Sequence, residues 1–145
     1  MIPIFATGGY FNLGEAIVYT AALIFGPYIG AFTGGSISIA DILIGYGQFA
    51  PGTLVIKGLE GAIVAFLNRK LRKHTSNTSL SASIAVIVGG LEMVSGYFIY
   101  ELFLGYTWSV ALAEVPFNLV QMTIGMIVAV PIIYAVQRVF PQLKS

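Results

Sequence analysis

Glu15, Asp41, Lys57, Glu60, Glu92 and Glu101 all fall inside stretches that are otherwise apolar. A charge in hydrocarbon costs about 2.5–3.5 kcal/mol on insertion scales, so each needs a partner or a function. Lys57 and Glu60 are three apart on one helix, and two readings follow: they pair with each other, or Lys57 meets a ligand. Glu15 stands at the start of its helix, where a carboxylate suits the dipole and can serve as a cap. Asp41, in a Gly/Ser-rich stretch, reads as a structural partner for backbone or hydroxyl groups. Further on, Glu114, Asn118 and Gln121 fall at i, i+4 and i+7, so one helix face presents three hydrogen-bonding groups. Lipid would leave that stripe unsatisfied, so it belongs in a protein interior, as a structural network or as part of a binding site.

None of these groups assembles a catalyst. The chain has no Gly-rich phosphate loop ending in Lys-Ser or Lys-Thr and no Ser-His-Asp set. With His74 as its single histidine and no cysteine, it offers no ligand set for zinc or haem, and no cofactor is expected. If the chain takes part in active transport, ATP hydrolysis must come from another polypeptide.

The elements that position these groups are membrane spans. Of the residues, 57% are hydrophobic and 9% charged, against about 25% charged in soluble domains, and mean hydropathy is +0.89. So small a chain cannot bury that much apolar surface in a soluble core, and lipid must cover the remainder. The expected fold is all-α, a single transmembrane domain over residues 1–145 with about five helices. The candidate spans are Leu13 to Ile29, Gly34 to Tyr46, Thr53 to Leu67, Ala82 to Leu104, and a last one running from Glu114-Val115-Pro116 to about Gln137. Pro116 suits the first turn of that last helix. A net charge of +1 gives no field for nucleic acid.

Six of the seven basic residues lie in the Asn68 to Ser81 loop or the tail after Gln137, and the loops at 47–52 and 105–114 contain none. The positive-inside rule therefore places the basic loop and the C-terminus in the cytoplasm and the N-terminus outside. The basic cluster Arg69 to Lys73 reads as a topology signal with anionic-lipid contacts, or as a surface for a cytoplasmic partner. Gly26, Gly30 and Gly34 recur at intervals of four, as do Gly58 and Ala62. This spacing lets helix backbones approach closely, within the bundle or as a docking surface for another membrane subunit.

The stretch Gly8-Gly9-Tyr10-Phe11-Asn12-Leu13-Gly14-Glu15-Ala16, then Phe25-Gly26-Pro27, Gly30-Ala31, Gly34-Gly35, Ala40-Asp41 and Gly45-Tyr46, resembles the substrate-binding S components of energy-coupling factor (ECF) transporters. The likeness continues through Ala50-Pro51-Gly52-Thr53-Leu54-Val55-Ile56-Lys57-Gly58-Leu59-Glu60-Gly61. It is well marked in the first half of the chain; the second half agrees in hydropathy and topology. The resemblance implies a prokaryotic cell-membrane protein that captures a vitamin or vitamin precursor from outside. It also implies docking on a transmembrane coupling subunit with two cytoplasmic ATPases. Members of that family typically have six helices and a cytoplasmic N-terminus. The present sequence resembles one beginning at the second helix, as the charge pattern also suggests, and truncation or a misplaced start codon is the expected reason.

Under this reading the solute sits in the outer half of the bundle among Asn12, Lys57, Glu92, Trp108, Glu114 and Asn118. Trp108, in an outer loop, is an interfacial anchor or a ring that stacks on a flat heterocycle. The competing reading is a structural or assembly subunit of a membrane complex, in which the intramembrane charges only bind neighbouring subunits.

Overall fold

The computed structural model describes residues 2–4 and 9–143. A short antiparallel hairpin, β1 (Ile2–Ile4) with β2 (Gly9–Phe11), pairs Ile2 with Phe11 and Ile4 with Gly9. Five helices follow among the described residues: α1 (Gly14–Phe25), α2 (Pro27–Leu43), α3 (Ala50–Arg72), α4 (Thr78–Phe103) and α5 (Trp108–Val139). A single 3-10 turn, Pro141–Leu143, ends the described chain. Helices α3, α4 and α5 are each long and apolar enough to cross a membrane.

The first span expected from sequence is two helices. Gly26 adopts φ 97°, a left-handed conformation open to glycine, and its N–H closes α1 on the carbonyl of Ala22 at 3.1 Å. Pro27 then opens α2, where its fixed φ and missing N–H suit a helix start. The 12 residues of α1 reach only about 18 Å, short of a hydrocarbon core of about 30 Å. The second span accordingly begins at Pro27, seven residues before the expected Gly34. At the other end of the chain, α5 starts at Trp108, capped by the Thr107 hydroxyl accepting from Val110 N–H at 3.4 Å. Pro116 therefore lies inside α5 and not in its first turn.

The α1–α2 turn sits beside the basic end of α3, since a Cβ on Gly26 would strike the Arg69 guanidinium. Helix α1 thus starts partway along the bundle and runs towards the basic end, and α2 runs back. Helix α1 packs on α2, α3 and α5, with α4 closing the bundle between α3 and α5. Its residues Val18, Tyr19, Ala22 and Leu23 join Val64, Ala65, Ala82, Ala85, Val86, Ala129 and Ile133 in one buried core. At the basic end, Arg72 and Thr78 both donate to Oε1 of Gln137, and Ser81 donates to Asn68 Oδ1 at 3.0 Å, tying α3, α4 and α5 together. Large apolar side chains such as Tyr28, Phe32, Leu43, Phe66 and Phe103 point outward, the pattern of a bundle solvated by lipid.

The glycine repeat is spent inside the bundle. Gly30 and Gly34 are buried, and a Cβ on either would run into the carbonyl of Gly61 or Lys57 on α3. With Gly26 also buried in its turn, this face packs on α3, the within-bundle one of the two readings of the repeat. Gly34→Ala should therefore lower the thermal midpoint of the purified protein, by the equivalent of about 1–3 kcal/mol of overpacking. Gly58→Ala, whose Cβ would meet only the Ala31 carbonyl at 3.6 Å, should leave it unchanged. Equal midpoints for the two variants would contradict this packing.

Candidate functional site

Tracing the polar side chains inward from each helix leads to one cavity. It lies between the end of α2, the first half of α3, the last part of α4 and the first half of α5, away from the basic loop. Asn12, Asp41, Phe49, Thr53, Lys57, Tyr97, Glu101, Glu114, Asn118 and Gln121 line it. The free space is about 40 Å³, whereas small-molecule sites usually have about 300–1,000 Å³. The described conformation is closed around its own polar groups.

Beneath the cavity lies a buried charge cluster. Lys57 pairs with Glu15 of α1 and with Glu60 of its own helix at 3.4 Å; all three side chains are at most 2% exposed. Tyr19 donates to Glu60 Oε1 at 2.6 Å. Glu15 is thus a buried ion-pair partner and not the cap expected for its helix, which has no side-chain cap. The carboxylate that sits in the first turn by sequence is turned into the bundle because Lys57, buried there, needs a counter-charge. Lys57 also has Tyr97 nearby, 5.6 Å from Nζ to the ring centroid, so the paired and the cavity-facing readings of this residue both hold geometrically.

The stripe on α5 turns inward: Glu114, Asn118 and Gln121 are all buried. Gln121 Nε2 donates to Asn118 Oδ1 at 3.0 Å, and Gln121 Oε1 accepts from the Asn12 backbone N–H at 2.8 Å. Asn12 Oδ1 in turn accepts from Gly14 N–H at 2.6 Å. These bonds anchor the segment between the hairpin and α1 to α5. Thr53 and Tyr97 share a hydroxyl hydrogen bond of 3.0 Å across α3 and α4. Over the cavity, the 44–49 loop is held to the 104–107 loop. Tyr100 Oη donates to the Gln48 carbonyl at 2.8 Å, Gln48 Nε2 donates to Tyr106 Oη at 3.0 Å, and the Phe49 and Tyr106 rings stack at 6.2 Å.

Of the six site residues expected from sequence, the fold gathers Asn12, Lys57, Glu114 and Asn118 around the cavity. Glu92 and Trp108 are not on its wall. Glu92 is half-buried earlier on α4, towards the basic end, and Trp108 is 63% exposed, edge-on to Phe98 at 4.9 Å. The aromatic rings on the cavity are Phe49 and Tyr97. Sequence reasoning missed Phe49 because it stands in a loop with no periodicity, and the neighbouring Pro51 marks only a turn. Asp41, Thr53, Glu101 and Gln121 also line the wall; the signal for each was its polarity within an apolar helix, without a facing partner in sequence.

A helical bundle with an apolar outer surface, three membrane-length apolar helices and a polar cavity inside one half has the architecture of a membrane protein. Over residues 1–138 the chain matches the family model described as ECF-type riboflavin transporter, S component. An uncharacterized protein in the gap 3' region of Pyrococcus woesei is 38% identical over 127 residues, covering 88% of this chain and 82% of the relative. The thiamine precursor transporter HmpT of Lactococcus lactis subsp. cremoris is 27% identical over 125 residues, covering 86% and 68%. The chain belongs to the S-component family of ECF-type transporters, and it is a transporter subunit and not itself a catalyst.

The cavity floor gives a direct test. Gln121→Leu removes the acceptor of the Asn12 N–H while keeping side-chain size. Hydrogen exchange at that amide should quicken by about 2- to 12-fold, the equivalent of one net hydrogen bond of about 0.5–1.5 kcal/mol. Unchanged protection would mean that the segment is not held by α5.

Proposed function

We propose that this chain captures a vitamin or vitamin precursor in the cavity between α2, α3, α4 and α5, on the extracellular side of the membrane. The observation that supports this most is the cavity itself: ten mostly polar side chains converge inside a bundle whose outer surface is apolar. Asn12, Lys57, Glu114 and Asn118 contact the solute in this reading. Its entry requires the 44–49 and 104–107 loops to part, because the free space of about 40 Å³ admits no ring-sized molecule. The basic loop between α3 and α4 and the chain end after α5 face the cytoplasm, since both gather Arg and Lys. Transport is completed by a transmembrane coupling subunit and two cytoplasmic ATPases. HmpT, named for a thiamine precursor, supports a vitamin precursor as the cargo.

Purified protein should retain or bind a small molecule, and Asn118→Ala should weaken that binding about 5- to 150-fold, as expected for one lost buried hydrogen bond. Trp108→Ala, off the cavity wall, should stay within about twofold. The closed interior favours a second reading, an assembly subunit whose polar core is purely structural, and failure to bind any solute would establish it. Orientation has its own check: single cysteines at Ser76 and Ser109 should label from opposite faces, and labelling of both from outside intact cells would reverse the proposal.

A further inference from the structure

The second small-residue repeat, Gly58 and Ala62, opens outward. Both residues line a groove between α2 and α3 on the surface of the bundle, with Phe32, Gly35 and Ile39 on one wall and Leu54 beside them on the other. The groove offers about 610 Å³ of free space, far more than the polar cavity. A Cβ on Gly58 would meet only the Ala31 carbonyl, at 3.6 Å, so the groove floor is not packed tight. The hydroxyls beside it are turned to their own helix: Ser36 donates to the Thr33 carbonyl at 2.8 Å and Ser38 to the Gly35 carbonyl at 2.7 Å. What remains for an occupant is alkyl and aromatic carbon, a surface for hydrocarbon and not for a polar solute.

The same face runs on to the basic end. Along α3 and its C-cap, Ala62, Phe66, Arg69 and Lys73 follow one another at intervals of four, three and four, and on α2 Tyr28 precedes Phe32 by four. Tyr28 is 89% exposed and Phe66 64%, rings set between groove and charges as aromatic residues are at a membrane interface. Arg69 and Lys73 are exposed, and Arg69 reaches across to the α1–α2 turn beside Gly26. Arg72, by contrast, is committed to Gln137. Residues 61–91, which carry the chain from α3 through the basic loop into α4, contain no Asp or Glu, nor do residues 16–40 or 115–145. The counter-charge for Arg69 and Lys73 must then come from outside the chain.

At 1.5 Å per residue, Leu54 to Ala62 covers about 12 Å of helix and Ala62 to Arg69 about 10 Å more. The hydrocarbon of one leaflet is about 15 Å deep, half of the bilayer core. A phosphate at Arg69 and Lys73 therefore directs the chains attached to it past Phe66 and Tyr28 and along the groove. We propose that this face binds one anionic phospholipid, its phosphate held by Arg69 and Lys73 and an acyl chain lying in the α2–α3 groove. The site is separate from the polar cavity and does not depend on what that cavity holds. Charge argues against a second copy as the occupant. Copies share one orientation in the membrane, so a two-fold contact across the groove brings Arg69 and Lys73 towards their own counterparts.

The test is native mass spectrometry of the purified full chain in one detergent, with phosphatidylglycerol and phosphatidylcholine of the same oleoyl chains as probes. Phosphatidylglycerol should bind about 10-fold tighter or more, through its uncompensated charge. Arg69→Gln should weaken that binding about 5-fold, and Arg69→Gln with Lys73→Gln about 30-fold, one basic contact each. Arg138→Gln, which alters an exposed basic residue at the same end but on α5, should stay within about twofold. Gly58→Leu, which fills the groove, should weaken the oleoyl lipid about 10-fold, and soluble glycerol phosphate should not compete. Equal binding of the two lipids, or equal losses from Arg69→Gln and Arg138→Gln, would overturn the proposal in favour of a diffuse basic surface. Unchanged affinity in Gly58→Leu, or competition by glycerol phosphate, would overturn the placement of the acyl chain. A contact with a second copy or another membrane subunit that Gly58→Leu abolishes and phosphatidylglycerol leaves intact would give the groove to that protein instead. Should Gly58→Leu not fold, phosphatidylglycerol with hexanoyl chains decides the same point on the unaltered chain: it should bind about 10-fold more weakly than the oleoyl lipid, and equal binding would overturn the placement.

Discussion

An ammonium group in the middle of a lipid-solvated bundle persists only if carboxylates surround it, and for Lys57 those carboxylates come from two helices. Glu60 is on its own helix and Glu15 is on α1. The second pairing has the larger structural effect, because α1 is too short to span and starts partway along the bundle. It fastens the start of α1 to α3 at the level where the cavity begins. Tyr19, four residues on, adds a hydrogen bond to Glu60 from the same helix, so α1 is joined to α3 twice by polar bonds within the apolar core. Above this cluster the wall can be polar; below it the core is mostly alanine and valine, with Leu23 and Ile133. Neutralising the charge by apolar replacement would often stabilise such a core, and retention of the ions fits a fold in which position matters more than stability.

The close approach of α2 and α3 is the other constraint. Gly30 and Gly34 face the backbone of α3 around Lys57 and Gly61, so the lysine and the glycine repeat act at one crossing. Small residues let the two helices come near enough for Asp41, at the far end of α2, to reach the same wall as Thr53 and Lys57. The 44–49 loop is bonded to Tyr106 in the 104–107 loop and to Tyr100 at the end of α4. The resulting closed state explains why ten lining residues surround so little space.

Much of this was legible in the sequence. Hydropathy revealed the membrane bundle, and intramembrane polarity pointed to Lys57, Glu114 and Asn118 because lipid allows few alternatives for such groups. The resemblance of the first half of the chain pointed to the S-component family. The errors have physical causes. Leu13 to Ile29 reads as one span because hydropathy does not register a reversal, although Gly26-Pro27 carried the signal for it. Glu15 reads as a cap because its counter-ion is 42 residues away, and only tertiary structure brings the two together. Glu92 was placed by depth along its helix and Trp108 by its outer loop, and neither specifies direction: Trp108 turns outward on the first turn of α5, whereas Phe49, in a loop, turns in. The hairpin Ile2–Ile4 with Gly9–Phe11 was too short to stand out against its apolar surroundings.

The account depends on Lys57 as the shared counter-ion that holds α1 on α3. The most direct measurement is the stability of purified Lys57→Met beside a triple variant, Glu15→Gln, Lys57→Met and Glu60→Gln, by thermal or denaturant unfolding in the same detergent. Removing the lysine alone leaves two buried carboxyl groups without their cation and should cost about 3–5 kcal/mol, whereas the fully neutral variant should recover most of that loss. Lys57→Met as stable as the parent, or a triple variant no better than the single one, would contradict the account.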